Sequence, residues 1–147
     1  MISRCRTCCY PRSKPDLYFD YTGECSACTS FRKRRRIDWD ARKEDLARLL
    51  DRHNGEVIVP SSGGKDSTYI ALRMKEIGAH VTAVTATTCH LTPIGRANLD
   101  NLARHVRTIE VTPNMAVRAK LNRLGLQLVG DISWPEHASI FSVPFKV

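Results

Sequence analysis

One stretch in the middle of the chain combines adjacent glycines, hydroxyl groups, a lysine and a carboxylate in the order expected of a phosphate-binding loop. It consists of Ser61, Ser62, Gly63, Gly64, Lys65, Asp66, Ser67 and Thr68. Adjacent glycines can adopt backbone angles closed to other residues, and they let an anion approach the main chain. If a helix begins here, its first N–H groups point at that anion and its dipole adds to the attraction. The stretch therefore predicts a site for the phosphates of a nucleotide.

The residues on either side give this loop the context that such a site needs. A short apolar run at 57–60 precedes it, and apolar residues at helical spacing, Ile70, Met74 and Ile77, follow it before Gly78. The order strand, glycine turn, helix argues against a flexible glycine-serine linker. The spacing is not that of the Walker motif, in which four residues separate the two glycines.

Four of the six cysteines form two pairs near the start of the chain, Cys5 with Cys8 and Cys25 with Cys28. Each pair places two thiolates on one tight turn, and two such turns complete a tetrahedron around zinc. The 16 residues between the pairs suit a zinc site and include too few apolar side chains to fold alone, so metal binding would supply folding energy. We predict a structural zinc site, with free cysteines as the alternative and Cys9 as a spare thiol. The spacing does not distinguish zinc from iron.

Charged and aromatic residues add to this N-terminal region. The whole chain carries 23 basic and 15 acidic residues, and its net charge of +8 favours anionic partners such as nucleotides, sugar phosphates or nucleic acid. We interpret the basic run at 32–36 as a solvated linker or the lip of an anionic cleft rather than as a nucleic-acid site. Tyr18, Phe19 and Tyr21 are expected to cover one side of the zinc site.

After residue 37 the apolar patterning alternates between helix and strand. Strands are expected at 57–60, 81–85 and 108–111, and helices at 38–53, 94–106 and 113–124 as well as directly after the loop. This order predicts an α/β fold with a parallel sheet covered on both faces. We expect a zinc-knuckle segment with a basic linker at 1–36 and a nucleotide-binding domain at 37–147.

Apolar stripes identify side chains expected in the core. They are Trp39, Leu46, Leu49, Leu50, Leu99, Leu102 and Ala103. Towards the end of the chain, 130–137 is expected to be a polar loop and 138–147 to begin a helix or form a final strand. Because ligands of parallel sheets lie outside the carboxyl ends of the strands, adenine is expected near 59–61 and 85–87.

The segment 62–67 resembles the PP-loop of the ATP pyrophosphatase superfamily at every position of that motif. The resemblance implies an adenine nucleotide alpha hydrolase-like fold, in which the loop holds the β and γ phosphates of ATP as a leaving pyrophosphate. A substrate oxygen attacks the α-phosphate, and a nitrogen or sulfur nucleophile then displaces the adenylate. Asp66 is a candidate for binding Mg²⁺ or bracing the loop, Ser67 is a further candidate catalytic residue, and Lys65 has a supporting role.

An ordered set of motifs is similar to the N-acetyl sugar amidotransferase family of lipopolysaccharide and other surface-polysaccharide synthesis. Besides the cysteine pairs and the loop, they are Asp38-Trp39, Thr68-Tyr69, Gly95-Arg96, Asn98-Leu99, Asn101-Leu102, Thr112-Pro113-Asn114 and Trp134-Pro135 with His137. The resemblance implies that ATP adenylates the acetamido oxygen of a nucleotide-linked N-acetyl sugar. Ammonia from a glutaminase partner then displaces AMP and leaves an acetamidino group. Arg96, Asn98 and His137 are candidate substrate contacts.

Two departures from this family bear on the hypothesis. The family is considerably longer, so the chain corresponds to its N-terminal part, and a second chain is expected to complete the sheet and cover its exposed edge. The family also tends to have cysteines where this chain has Ser133 and Glu136, which leaves open any metal or thiol role there.

Two other functions fit parts of the pattern. Several tRNA-thiolating PP-loop enzymes resemble this layout, and the basic run would suit RNA, but only Cys89 lies beyond the loop where paired catalytic cysteines are common. The other is a shortened protein that binds a nucleotide or a partner subunit. No stretch approaches the roughly 18–20 apolar residues of a membrane span, and the start has no apolar signal core, so a cytoplasmic protein without a membrane partner is expected.

Overall fold

The computed structural model describes residues 3–87 and 90–147. The chain divides into two compact units, Met1–Leu46 and Ala47–Val147. The helices and strands follow one another as α1 (Ser26–Arg34), α2 (Trp39–Arg52), β1 (Glu56–Pro60), α3 (Lys65–Glu76), β2 (His80–Ala86), α4 (Pro93–Ala103), β3 (Arg107–Val111), α5 (Met115–Val129) and α6 (Trp134–Ser142). A 3₁₀ turn at Pro144–Lys146 follows α6.

The N-terminal unit is built from short turns, α1 and the first part of α2. Isolated antiparallel bridges join Arg4 to Pro11 and Phe19 to Cys25. Helix α1 begins directly after Cys25, whose backbone is extended at the N-cap position. The first three residues of the basic run at 32–36 form the last turn of α1, so this part of the run is helical instead of a linker. Cations are favoured there because the carboxyl end of a helix carries partial negative charge.

The second unit contains a three-stranded parallel sheet with the strand order β1-β2-β3. In the register of the sheet, Val59 pairs with Ala83, and Ala83 pairs with Thr108. The predicted α/β fold with a parallel sheet is thereby confirmed, and β2 extends one residue beyond the predicted strand at each end. Because all three strands run in the same direction, their carboxyl ends meet at one edge, where the glycine loop begins.

One face of the sheet is covered by α3 and α4 and forms the core of the second unit. Its buried cluster comprises Val59, Ala71, Ala79, Val81, Ala83, Leu102 and Val106. In helix α3 the small Ala71 is buried against the strands. Ile70, which belongs to the predicted apolar pattern, is instead 50% exposed. In α4, Leu99 and Leu102 are buried as predicted, whereas Ala103 is exposed.

The helix predicted to follow Asp38 is confirmed as α2. Asp38 caps it by accepting a hydrogen bond from the N–H of Ala41 at 3.0 Å. The apolar stripe is less buried than predicted, since Trp39 is 65% and Leu49 46% exposed, while Leu50 packs against the core cluster. The placement of Trp39 in a core is wrong, because it lies in the N-terminal unit, whose buried residues are mainly cysteines.

Helix α5 begins later and ends later than its sequence pattern indicates. It starts two residues after the predicted Pro113, because the side chain of Asn114 accepts hydrogen bonds from two first-turn N–H groups at 3.0 and 3.1 Å. It continues to Val129, where Gly130 ends it with a left-handed φ of 71°. The helix has 15 residues, and within the described ranges no helix is both long and apolar enough to cross a membrane.

The segment predicted as a polar loop at 130–137 instead begins helix α6. The carboxylate of Asp131 accepts hydrogen bonds from the N–H and the hydroxyl of Ser133 at 2.8 and 2.6 Å, which fixes the turn before the helix. Pro135 then lies in the first turn of the helix. An N–H group at this position would have no acceptor within the helix, so the lack of one in proline costs no hydrogen bond. His137 therefore lies on a helix, and the rest of the chain continues as helix and 3₁₀ turn, not as a strand.

The core assignment can be tested by shortening one buried leucine. Leu102 is fully buried at 0% exposure, so Leu102→Ala should lower the free energy of unfolding by about 2–5 kcal/mol. Leu128, at 78% exposure, is the matched control, and Leu128→Ala should change stability by less than about 0.5 kcal/mol. Urea unfolding of the full chain measures both, and equal effects of the two substitutions would contradict the assignment.

Candidate functional site

The sulfur atoms of Cys5, Cys8, Cys25 and Cys28 all lie within 4.8 Å of one another. The Sγ atoms of Cys8 and Cys25 are 3.6 Å apart, far more than the roughly 2.05 Å of a disulfide bond. Four thiolates that hold zinc tetrahedrally at about 2.3 Å have sulfur atoms about 3.8 Å apart. The spacing fits such an ion, and the four thiols could hold zinc as the sequence predicts.

The main chain of the two cysteine turns points N–H groups at one of these sulfurs. The N–H of Thr7 donates to the Sγ of Cys5 at 3.4 Å, and the N–H of Cys25 donates to the same atom at 3.3 Å. Hydrogen bonds to a thiolate stabilise its charge, so this arrangement prepares Cys5 for a metal. Cys5 and Cys25 are buried at 2% and 0% exposure, which places this side of the cluster away from water.

The thiols influence one another's ionisation. Burial acts to raise the pKa of Cys5, but hydrogen bonds from main-chain groups outweigh it and lower the pKa to about 6. The hydrogen bond with Cys8, followed by burial, raises the pKa of Cys28. Hydrogen bonds with the main chain of Tyr10 and the thiol of Cys28 act to lower the pKa of Cys8, yet burial and the thiols of Cys25 and Cys5 together raise it. Four thiolates this close repel one another, so a cation among them would be needed to ionise them all.

A buried carboxylate ties the two cysteine turns to α1. Glu24 is only 7% exposed, and both of its oxygens accept hydrogen bonds from the guanidinium group of Arg32. One oxygen also accepts from the hydroxyl of Thr7 at 3.1 Å. The hydrogen bonds from Arg32 lower the pKa of Glu24 despite its burial, so the carboxylate stays ionised. Sequence patterning missed this contact because the three residues are far apart in the chain.

The aromatic side chains of this unit do not all cover the cysteine cluster. Tyr18 is 73% and Tyr21 101% exposed, so the expected cover is wrong for both. Phe19 is partly buried, and the guanidinium carbon of Arg12 lies 5.3 Å from its ring centroid. Cys9, the spare thiol, is exposed and has a positive φ of 60°.

The glycine loop leaves β1 at the carboxyl edge of the sheet and enters α3. Gly63 has a left-handed φ of 74°, and a Cβ atom there would lie 2.9 Å from the Cδ2 atom of Leu99. Ser61 is buried, and its hydroxyl accepts a hydrogen bond from the N–H of Gly63 at 3.1 Å. The same hydroxyl donates to the Oγ of Ser67 at 3.1 Å, which links the two ends of the loop. The loop is therefore held in one shape by contacts that need glycine at this position.

The start of α3 presents main-chain donors. Gly64 is the N-cap residue and has no side chain with which to cap the helix. The N–H of Thr68 bonds back to the carbonyl oxygen of Gly64 at 3.1 Å, so the N–H groups before it have no helical acceptor. Lys65 and Asp66 form an ion pair at 2.7 Å with side chains 88% and 84% exposed. Both charged groups therefore lie in solvent at the start of α3, which we call the mouth of the loop.

Thr87 follows β2 at the same edge of the sheet. Its N–H donates to the carbonyl oxygen of Val111 at 2.9 Å, while its Oγ1 atom is buried without a hydrogen-bond partner in the described part of the chain. The N–H of Ser61 bonds to the carbonyl oxygen of Val84 at 2.9 Å, so the loop and the end of β2 are neighbours. This places an unpaired hydroxyl within the region predicted for adenine.

The three candidate substrate contacts have different surroundings. Arg96 donates to both carboxylate oxygens of Glu110 at 2.7 and 2.8 Å and to Asp100 at 2.9 Å. These bonds raise the pKa of Arg96, with the bond to Glu110 as the largest cause. Asn98 is exposed on α4, next to the leucine that packs against Gly63. His137 is exposed on α6.

The two positions where the sugar amidotransferase family tends to have cysteine also have defined partners. Ser133 bonds to Asp131, and both oxygens of Glu136 accept hydrogen bonds from the side-chain amide of Asn122 at 2.8 and 3.0 Å. The bonds from Asn122 to Glu136 join α5 to α6. Cys89, the thiol beyond the loop, lies outside the described residues.

An open groove of about 890 Å³ lies at the opposite edge of the sheet, where the strands begin. Its lining includes Arg52, Glu56, His80, Arg107 and Val147. The glycine loop and the carboxyl ends of the strands are not part of this lining. The groove therefore does not add residues to the candidate nucleotide site.

The metal assignment predicts different behaviour for two cysteines of the N-terminal unit. Cys28→Ser removes one of the four candidate ligands. It should weaken zinc binding by more than the roughly 10–100-fold loss that follows mutation of a residue that only hydrogen-bonds to a metal ligand. Cys9→Ser removes the exposed spare thiol and should leave zinc affinity unchanged. Competition titration with a chromophoric chelator, together with the absorption spectrum of the Co²⁺ form, measures both. Equal zinc affinity of the two variants would contradict the assignment.

The loop geometry predicts different costs at its two glycines. Gly63→Ala introduces strain at a positive φ and a close contact with Leu99, and it should lower stability by about 1–3 kcal/mol. Gly64 has an ordinary φ of −75°, and its added Cβ would meet only the flexible Ser62 hydroxyl, at 3.3 Å. Gly64→Ala should therefore cost less in urea unfolding, no more than about 1 kcal/mol from the preference for glycine over alanine at an N-cap. A Gly63→Ala variant as stable as Gly64→Ala would show that the left-handed turn is not required.

Comparison with models of known protein families found no match for this chain. A search of curated proteins found no significantly similar relative. The geometry therefore establishes a small α/β domain with three parallel strands and a four-cysteine cluster that could hold zinc.

Proposed function

We propose that the chain binds Mg²⁺-ATP at the loop between β1 and α3 and supports its cleavage to AMP and pyrophosphate. The observation that carries this proposal is the start of α3, where N–H groups without helical acceptors follow a glycine turn at the carboxyl edge of the sheet. Main-chain donors of this kind suit the β and γ phosphates, and the helix dipole adds to their attraction. The hydroxyl of Thr87, buried without a partner in the described residues at the same edge, is a further candidate contact.

The chemistry needs a site that stabilises negative charge on the departing pyrophosphate. Donors fixed before the reaction contribute most to such catalysis, and the contacts of Ser61 with Gly63 and Ser67 fix this loop. Mg²⁺ would neutralise phosphate charge when it is bound. Asp66 is the proposed ligand or brace for it, because its carboxylate is exposed at the mouth of the loop. Lys65 adds a positive charge beside it.

The proposed acceptor is the acetamido group of a nucleotide-linked N-acetyl sugar. Its oxygen attacks the α-phosphate and pyrophosphate leaves; ammonia from a glutaminase partner then attacks the activated carbon and AMP leaves, giving an acetamidino sugar. This step depends on the sequence resemblance to the sugar amidotransferases. The position of Asn98 beside the leucine that contacts the loop is compatible with a substrate role. Arg96 would contact a substrate only if it gave up part of its bonding to Glu110 and Asp100.

A second chain that completes the sheet is part of the proposal. Strand β1 pairs only with β2 in the described sheet, so its other edge offers unpaired main-chain groups. More than half of the large apolar side chains exposed in the described residues lie at 115–147, including Leu128 at 78% and Phe145 at 91% exposure. Exposed apolar surface of this extent is typical of an interface.

One observation favours a second candidate, a PP-loop enzyme that modifies tRNA. The N-terminal unit combines exposed aromatic rings with a basic run, which suits RNA better than a sugar nucleotide. Formation of AMP from ATP distinguishes the two candidates when nucleotide-linked N-acetyl sugars and tRNA are compared as acceptors.

The ATP site is tested by calorimetry on the purified, zinc-loaded chain. Saturable Mg²⁺-ATP binding is expected, and Gly64→Val should weaken it about tenfold or more, because its side chain would obstruct hydrogen bonds to charged phosphates worth about 1.5–3 kcal/mol each. Asp66→Ala should reduce the effect of Mg²⁺ on affinity. Asp51→Ala, an exposed carboxylate on α2, is the matched control and should bind as the unaltered chain does. Failure of the folded chain to bind ATP would refute the proposal for this chain alone.

A further inference from the structure

The positive charge of the protein is concentrated at its N-terminal end. Residues 1–37 carry nine lysines and arginines against three acidic residues, whereas 38–147 carry 14 basic against 12 acidic residues. Most of the net charge of +8 therefore belongs to a quarter of the chain. A field of one sign over so small a surface favours a polyanionic partner.

Two of the three acidic residues in this region are already engaged. Glu24 is buried against Arg32, and the Oδ1 atom of Asp20 accepts hydrogen bonds from the N–H groups of Thr22 and Glu24 at 2.9 and 3.0 Å. The other four cations of the basic run, Lys33, Arg34, Arg35 and Arg36, are exposed and have no ion pair within the residues described. Their charge is therefore directed to the solvent.

Aromatic rings lie exposed in the same unit. Tyr21 is 101%, Tyr18 73%, Phe31 60% and Tyr10 46% exposed. Exposing several rings in so small a unit forgoes the stabilisation that their burial would provide. A partner that stacks on them would recover it, and nucleobases do so, with each base stacked on an aromatic side chain contributing affinity.

Contacts between the turn at 20–24 and α1 bring exposed aromatic rings close to basic side chains. Tyr21 lies within this turn, and the side chain of Arg6 approaches Gly23 of the same turn, within 3.3 Å of where its Cβ would be. Glu24 fastens the turn to Arg32, the residue that follows Phe31 on α1. The carbonyl oxygen of Tyr18 accepts a hydrogen bond from the N–H of Ser26 at 2.7 Å, which places Tyr18 at the start of the same helix.

We propose that the N-terminal unit is a binding site for single-stranded nucleic acid. Tyr18, Tyr21 and Phe31 stack on unpaired bases, and the exposed cations of the basic run contact phosphates. A single strand fits because its bases are free to stack on protein rings, which those of a duplex are not. This proposal is independent of the ATP site, since all of its residues lie in the N-terminal unit.

Fluorescence anisotropy with the full, zinc-loaded chain tests the proposal. The probes are labelled single-stranded RNA and DNA of one sequence and the corresponding duplex. We expect tighter binding of a single strand than of the duplex. Tyr18→Ala with Tyr21→Ala should weaken binding about tenfold or more, with the dependence on salt unchanged. Arg34→Gln with Arg36→Gln should instead reduce the slope of log affinity against log salt by about 0.7 for each phosphate that the protein no longer neutralises.

Matched substitutions in the second unit are the controls. Phe145→Ala removes a ring that is 91% exposed, and Arg123→Gln removes an exposed cation on α5; neither should affect binding. Circular dichroism and zinc content of each variant show whether the unit remains folded. Gly64→Val should bind nucleic acid normally, so failure here is distinguishable from failure of the ATP site.

Three results would overturn the proposal. The first is weaker binding by the arginine variants but not by folded, zinc-loaded tyrosine variants, which would reduce the surface to a nonspecific polyanion binder. The second is equal affinity for duplex and single strand. The third is tighter binding to phosphatidylserine vesicles than to either nucleic acid, which would assign the rings and cations to a membrane surface.

Discussion

The close packing of Gly63 against Leu99 is a constraint on which the glycine loop of the second unit depends. Leu99 is 2% exposed, and Leu102, one turn further along α4, lies in the core that supports the sheet. The loop that leaves β1 is thereby tied to the same core as the strands. Because a Cβ at Gly63 would meet Leu99, any other residue makes this left-handed turn into α3 only with strain. The contact between Gly63 and Leu99 therefore links the exposed start of α3 to the packing of the core.

The N-terminal unit depends on a different interaction. Its buried residues are chiefly Cys5 and Cys25 together with Glu24, so sulfur and a carboxylate occupy the place that apolar side chains take in the second unit. Close thiols repel when they ionise, and a bound cation would convert that repulsion into an attraction that holds the turns together. The ion pair between Glu24 and Arg32 adds a link between these turns and α1 that does not pass through the cysteine cluster.

The two units present different surfaces to anions. The start of α3 offers main-chain donors at fixed positions, which suit one phosphate group in one orientation. The N-terminal unit offers long cationic side chains and exposed rings, which adapt to a polymer of repeating charge. An enzyme that adenylates a substrate would use the first kind of surface for ATP. In our proposal the second kind of surface binds a single-stranded nucleic acid.

The sequence by itself determined the features that rest on short spacings: the two cysteine pairs, the glycine loop and the alternation that predicts a parallel sheet. Local geometry dictates these, so neighbours in the chain are enough to recognise them. Only the tertiary structure decided which side chains are buried and which charges are paired. It exposes Trp39 and Tyr21 and joins Arg96 to Glu110. Burial and ion pairing depend on residues that are distant in the chain, and apolar spacing carries no information about what lies opposite.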